Sequence, residues 1–103
     1  MYKLSEDKEK IQAVWEKGAV IPSYDKAKYR QDVCKAWMIR DRHGDRDSLY
    51  GWEIDHIKPK SDDGTDDISN LRPMQWENNS SRSDGKSSFC VVTSDGSKNV
   101  KKK

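Results

Sequence analysis

The chain has 103 residues, of which 37% are charged and only 32% hydrophobic, with a mean hydropathy of -1.15. That length holds one small domain with a thin core, and no apolar run approaches the roughly 20 residues of a membrane span. The opening MYKLSEDKEK carries charges where a secretory leader has an apolar stretch, so a soluble, intracellular protein, most naturally cytoplasmic, is expected.

Taken in chain order, Ser5 followed by Glu6 and Asp7 reads as an N-cap with first-turn acids. Ile11, Val14 and Trp15 then recur at helical spacing and Gly18 can close the helix, which predicts a helix over about 5–17. AVIPSYD is a linker, and 26–36 is a weaker second helix. Trp37 and Ile39, then Trp52 and Ile54, alternate with polar residues around DRHGDRDS, predicting strands at about 36–41 and 50–56 joined by a hairpin or a long turn. A short extended piece at 71–73 leads into a helix at about 74–83 that Gly85 ends. FCVVT could add an edge strand, and the final ten residues, rich in Ser, Gly and Lys, have the composition of a disordered end. The fold class is therefore α+β. The expected divisions are an N-terminal helix and linker over 1–25, a central domain over 26–86, and a flexible basic tail over 87–103.

Cys34 and Cys90 lie 56 residues apart, which gives no paired-cysteine knuckle, so no structural zinc is expected and both are read as buried free thiols. Trp15, Trp37, Trp52 and Trp76 are assigned to the core of a chain with few aliphatic residues, and His43 in DRHGDR to an exposed turn. The formal net charge is +2, unevenly spread: residues 1–49 carry 11 basic and 9 acidic side chains, 50–86 carry 5 and 8, and 87–103 carry 4 and 1. Such ends can attract a polyanion, Lys101–Lys103 among them, while the acidic middle repels one unless cations sit there.

The chemistry lies in that middle, in YGWEIDHIKPKSDDGTDDISNLRPMQWENN. Asp55 is a hard oxygen ligand suited to Mg²⁺, and His56 can take a proton from water near neutral pH. Neighbours in a regular strand face opposite ways, so the two share a site only where the strand ends, as Pro59 suggests. Asp62, Asp63, Asp66 and Asp67 fail the register of a calcium loop, with Gly64 at its third position and Pro73 at its twelfth, and read as a solvated turn with Gly64 at positive φ. Asn70, between Ile68 and Leu71, can pin the loop backbone through its amide. On the following helix Asn79 offers a neutral oxygen to a cation and Arg82, one turn on, can hold a phosphate oxygen.

Together, DHI-x-P, a glycine-containing loop, N-L and N-x-x-R-S-D resemble the HNH endonuclease family in a variant with asparagine as the third letter. His56, Asn70 and Asn79 match the three letters, with nine residues from Asn70 to Asn79; the likeness covers about 50–86. Many members carry two CxxC zinc pairs, absent here, so the scaffold must be held by its core. The resemblance implies a ββα-metal module that hydrolyses phosphodiester bonds in DNA (RNA being the lesser expectation), leaving 5′-phosphate and 3′-hydroxyl ends. Asp55 and Asn79 would hold one Mg²⁺, for which Mn²⁺ could substitute. His56 would be the general base, with its tautomer fixed by a backbone carbonyl. Asn70 would brace the loop and Arg82 steady the phosphate, in a protein that could act as a homodimer or through a targeting partner. The alternative is a non-cleaving nucleic-acid-binding module with the same fold.

Overall fold

The computed structural model describes residues 4–85 and 87–102, with side chains from Lys8 onward, so the suggested Ser5 cap and Lys103 lie outside what is described. Helix α1 (Leu4–Trp15) is followed by three short antiparallel strands, β1 (Ala19–Val20), β2 (Tyr29–Gln31) and β3 (Trp37–Ile39), in that order in one sheet. Strands β4 (Trp52–His56) and β5 (Leu71–Gln75) form a second antiparallel pair, and α2 (Trp76–Ser83) leaves β5 without a break. Strands β6 (Val92–Asp95) and β7 (Lys98–Lys101) close the chain as a hairpin. The architecture is mixed α+β. Among the described residues no helix is long and apolar enough to cross a membrane.

The core cluster takes one or two residues from each of four elements: Val14 and Trp15 of α1, Met38 of β3, Trp52 of β4 and Leu71 of β5, all fully buried, with Ile11 and Ile54 against them. The Trp15 and Trp52 rings stand 5.2 Å apart at 45°, and their indole N–H groups donate to the Lys26 and Arg40 carbonyls, so both polar edges are satisfied in the interior. Arg30 donates to the Glu16 and Gly18 carbonyls and satisfies acceptors that the end of α1 leaves open.

Several elements differ from the sequence reading. Residues 26–36 are not a helix, because Asp32 accepts hydrogen bonds from the Cys34 and Ala36 amides and folds the chain back at Lys35 (φ 66°), which competes with a helical ladder. The two tryptophan-bearing strands do not form a hairpin: β3 pairs with β2 and β4 with β5. DRHGDRDS instead folds over the start of β4, where Gly44 donates to the Trp52 carbonyl and Arg46 grips Glu53 with two hydrogen bonds of 2.7 and 2.8 Å. His43 there is exposed, its ring 4.7 Å from that of Trp52. Strand β5 runs to Gln75, whose side chain accepts from the Glu77 and Asn78 amides and so caps α2. Gly85, at φ 81°, follows the helix end.

The C-terminal segment is not a flexible tail. Asn78 of α2 accepts from the Val91 and Val92 amides, both at 2.8 Å, and donates to the Val92 carbonyl. Asn99 of β7 brackets Trp37 through its amide and carbonyl. FCVVT adds no strand to another sheet; its end enters the β6–β7 hairpin, and Lys101 pairs with Glu77. The expectation of free thiols is also overturned: Cys34 and Cys90 form a disulfide, with Cα atoms 5.4 Å apart. Their sequence spacing said nothing of this, because the fold at Asp32 and the grip of Asn78 together bring the two loops into contact.

Candidate active site

Strand β4 offers Glu53 and Asp55 on one face, two residues apart, and α2 turns Asn79 and Arg82 toward that face, three residues apart. Asp55 is buried, at 5% exposure, and its two oxygens accept separately from two arginines. Arg72, directly opposite on β5, donates at 2.8 Å, and Arg82 at 2.9 Å. Arg82 also donates to the His56 and Ile57 carbonyls, at 3.0 and 2.7 Å, and so clamps the end of β4 to the helix. Asn79 stands one turn before Arg82 and donates to Glu53 at 3.0 Å. Burial alone would raise the Glu53 carboxyl, but hydrogen bonds from Arg46 and Asn79 hold it below its ordinary range.

His56 lies on the other face of β4, half-buried, where the strand ends. Its Nε2 stands 2.7 Å from an Asp66 carboxylate oxygen, and Lys60 donates to the other oxygen of the same group. The tautomer is thus set by a carboxylate, not by the backbone carbonyl the sequence suggested. The acids after Pro59 are accordingly more than a solvated turn. Hydrogen bonds from His56 and then Lys60 hold the Asp66 carboxyl down to about 2. A neutral ring that donates from Nε2 leaves Nδ1 as the free base.

The loop that carries Asp66 is pinned by Asn70. Its side chain accepts from the Lys58 amide at 2.8 Å and donates to the Lys58 and Thr65 carbonyls at 3.1 and 2.8 Å. Gly64 works here through close approach rather than a positive φ, since a Cβ at that position would stand 1.7 Å from the Lys58 carbonyl oxygen; the left-handed residue is Asp63, at φ 68°. From the other side, Lys17, just past the end of α1, donates to the Ile68 and Leu71 carbonyls.

His56, Lys60, Arg82 and Phe89 line a cavity of about 660 Å³, into which the end of β4, the following loop and the end of α2 converge. The Phe89 ring lies 6.0 Å from the guanidinium carbons of both Arg72 and Arg82. Asp55 and Arg82 are therefore brought into contact and His56 shares a cavity with Arg82, while Asn79 meets Glu53 and Asn70 serves the loop. Sequence reasoning missed Glu53, Arg72 and Asp66. Glu53 could have been found from its place two residues before Asp55 in a strand, whereas Arg72 and Asp66 depend on pairings that no local pattern records.

Among the described residues no three His, Cys, Asp or Glu side chains gather as a metal cluster. The donors present still suit a Mg²⁺-type ion, which takes one or two carboxylates and keeps much of its water. Both Asp55 oxygens are taken by guanidinium groups, so a cation bound there would displace at least one of them. The family model described as HNH endonuclease matches residues 41–84, which contain β4, β5, α2 and the loop between the strands. No curated protein and no solved structure matches the chain.

Proposed function

From the HNH endonuclease domain that the chain carries in residues 41–84, we propose that this protein is a divalent-metal-dependent nuclease that hydrolyses phosphodiester bonds in DNA, with His56 as general base. The observation that carries the reading is the His56 ring, oriented by Asp66 at 2.7 Å, in the same cavity as the Arg82 guanidinium. His56 Nδ1 takes a proton from water as the water oxygen bonds to phosphorus and the bond to the 3′ oxygen breaks, leaving 5′-phosphate and 3′-hydroxyl ends. Arg82 and Lys60 set the phosphate against that base. Asp55 and the Asn79 carbonyl oxygen would hold Mg²⁺ or Mn²⁺, which supplies charge stabilisation at the phosphate when bound. Asn70 positions the loop that carries Asp66, and so acts on the base at one remove.

The test is nicking of supercoiled plasmid in Mg²⁺ and in EDTA. Wild type should nick only with the metal, and His56→Ala should lose about 100- to 10,000-fold in rate. Equal nicking by both would overturn the assignment of the base. The saturation of Asp55 by two arginines favours one other reading, a binding module that does not cut. Folded wild type that shifts plasmid on a gel yet leaves it intact in Mg²⁺ and Mn²⁺ would establish that instead.

A further inference from the structure

Away from that site, at the other end of β4, Tyr24, Tyr29, Trp37 and Tyr50 line a second cavity, of about 250 Å³, with Ile39 and Ser97 completing its wall. Tyr24 meets Trp37 edge-on, with centroids 4.7 Å apart at 88°, and Tyr29 at 6.0 Å and 85°. Tyr24 remains 46% exposed, while Trp37 is buried and its indole N–H has no hydrogen-bond partner among the described residues. A buried donor without a partner costs free energy, so a ligand acceptor that reaches it when the pocket fills is favoured. The frame is fixed: Tyr29 pairs with Ile39 across β2 and β3, Asn99 holds Trp37 by both backbone groups, and the Tyr50 hydroxyl accepts from the Asn99 amide at 3.2 Å.

The chemistry of this pocket is that of a flat ring with polar edges. Its volume lies below the roughly 300–1,000 Å³ that holds a whole small molecule, so one ring system extending from a longer chain suits it better. No carboxylate is among the residues that line it, so no fixed negative charge there repels a polyanion. Lys26, Lys28 and Lys98, all exposed, stand in or beside the segments that form it, and the nearby Asp25 is turned into its own loop to accept from the Ala27 amide. Aromatic faces beside lysines are the composition by which single strands are held, through stacked bases and screened phosphates.

We propose that this pocket takes one unpaired nucleobase of single-stranded nucleic acid, stacked on Tyr24 with an acceptor offered to the Trp37 indole N–H. The inference rests on the reading of the protein as acting on nucleic acid and adds a substrate contact outside the cutting site. Tyr50 and His56 are six residues apart, so the pocket lies within about 20 Å of the base on extended backbone. One strand in stacked form covers that span in about six nucleotides at ~3.4 Å each. Single-stranded or frayed DNA is then favoured over intact duplex.

The experiment is fluorescence anisotropy of a labelled oligothymidylate in EDTA, against wild type, Tyr24→Ala and Tyr24→Phe, with an abasic oligomer of equal length and charge beside it. Tyr24→Ala should weaken binding by about 5- to 100-fold, Tyr24→Phe should hold it, and the abasic oligomer should bind wild type as weakly as Tyr24→Ala binds the thymidylate. Equal binding by wild type and Tyr24→Ala, or by thymidylate and abasic oligomer, overturns the pocket. Plasmid nicking in Mg²⁺, run on the same samples, separates the two readings. Nicking with oligomer binding that ignores Tyr24 removes only the pocket, whereas Tyr24-dependent binding without nicking removes only the cutting.

Discussion

Two aspartates in this molecule are equally buried, at 5% exposure, and are satisfied in opposite ways. In the loop between β2 and β3, Asp32 accepts from four neutral donors, the Cys34, Ala36 and Gln75 amides and the Asn78 side chain. At the end of β4, Asp55 accepts from two guanidinium groups. Burial pushes the Asp32 carboxyl above its ordinary range, and the hydrogen bonds, that of Asn78 foremost, offset this only in part. Its partners are mostly backbone and cannot leave without unfolding the chain around them. Those of Asp55 are the ends of long, charged side chains, at 22 and 23% exposure. Asp32 is tied into the fold by backbone, whereas Asp55 depends on two charged side chains.

The sharpest way to break that contrast is Asp32→Ala. It strips the partner from four donors at the junction of two sheets, α2 and the C-terminal hairpin, and should cost about 3–5 kcal/mol in urea unfolding. A loss under about 1 kcal/mol would show that water replaces the carboxylate and that no joint exists. Next comes the disulfide, which closes a long loop between the turn at Asp32 and the strand that Asn78 holds. Cys34→Ser, or reduction of wild type, should cost about 2–4 kcal/mol while plasmid nicking, measured below the lowered melting temperature, persists. Loss of nicking in a protein that remains folded would mean that the bond shapes the cavity directly. Third is Asp55→Asn, which leaves both arginines partly in water and should cost only about 1–2 kcal/mol, after discounting a buried pair for that exposure. Its nicking rate should nevertheless fall by about 100-fold or more. An Asp55→Asn enzyme of normal rate would place the cation elsewhere.

The same contrast explains how much was legible in the sequence. The helix at the start was readable because Ile11, Val14 and Trp15 repeat at its period, and the pinning of the loop by Asn70 was readable because an asparagine between two apolar residues at a loop end commonly bonds the nearby backbone. What failed was non-local. Asp32 reads as one more acid in a polar stretch, Arg72 as one more base, and Asn78 as the neighbour of Asn79, yet each is fixed by a partner 13 to 46 residues away. The tail reads as disordered because its composition is polar, while Asn78 from outside it, and its own Asn99 on Trp37, supply hydrogen bonds that tie it down. Spacing reports residues that act within one turn or loop; it is silent on those that join elements.

The smallest predicted effect lies on the loop beyond Pro59, where the contrast can be tuned by pH. Asp66 is exposed and charged at neutral pH, and its carboxyl is held down to about 2 by His56 and Lys60. A carboxyl depressed in the folded state contributes stability that is complete above its unfolded value, near 4, and is lost as pH falls through about 2. Asp66→Asn should therefore lie slightly below wild type in stability from pH 5 upward, and the two acid-unfolding curves should converge as pH falls toward 2. Its effect on catalysis should run through the ring rather than the fold: a lower nicking rate and an altered pH–rate profile, because the group that selects the His56 tautomer has gone. A rate and profile equal to those of wild type, with the acid-unfolding curves still converging, would leave Asp66 as a brace for the loop and free the His56 ring from it.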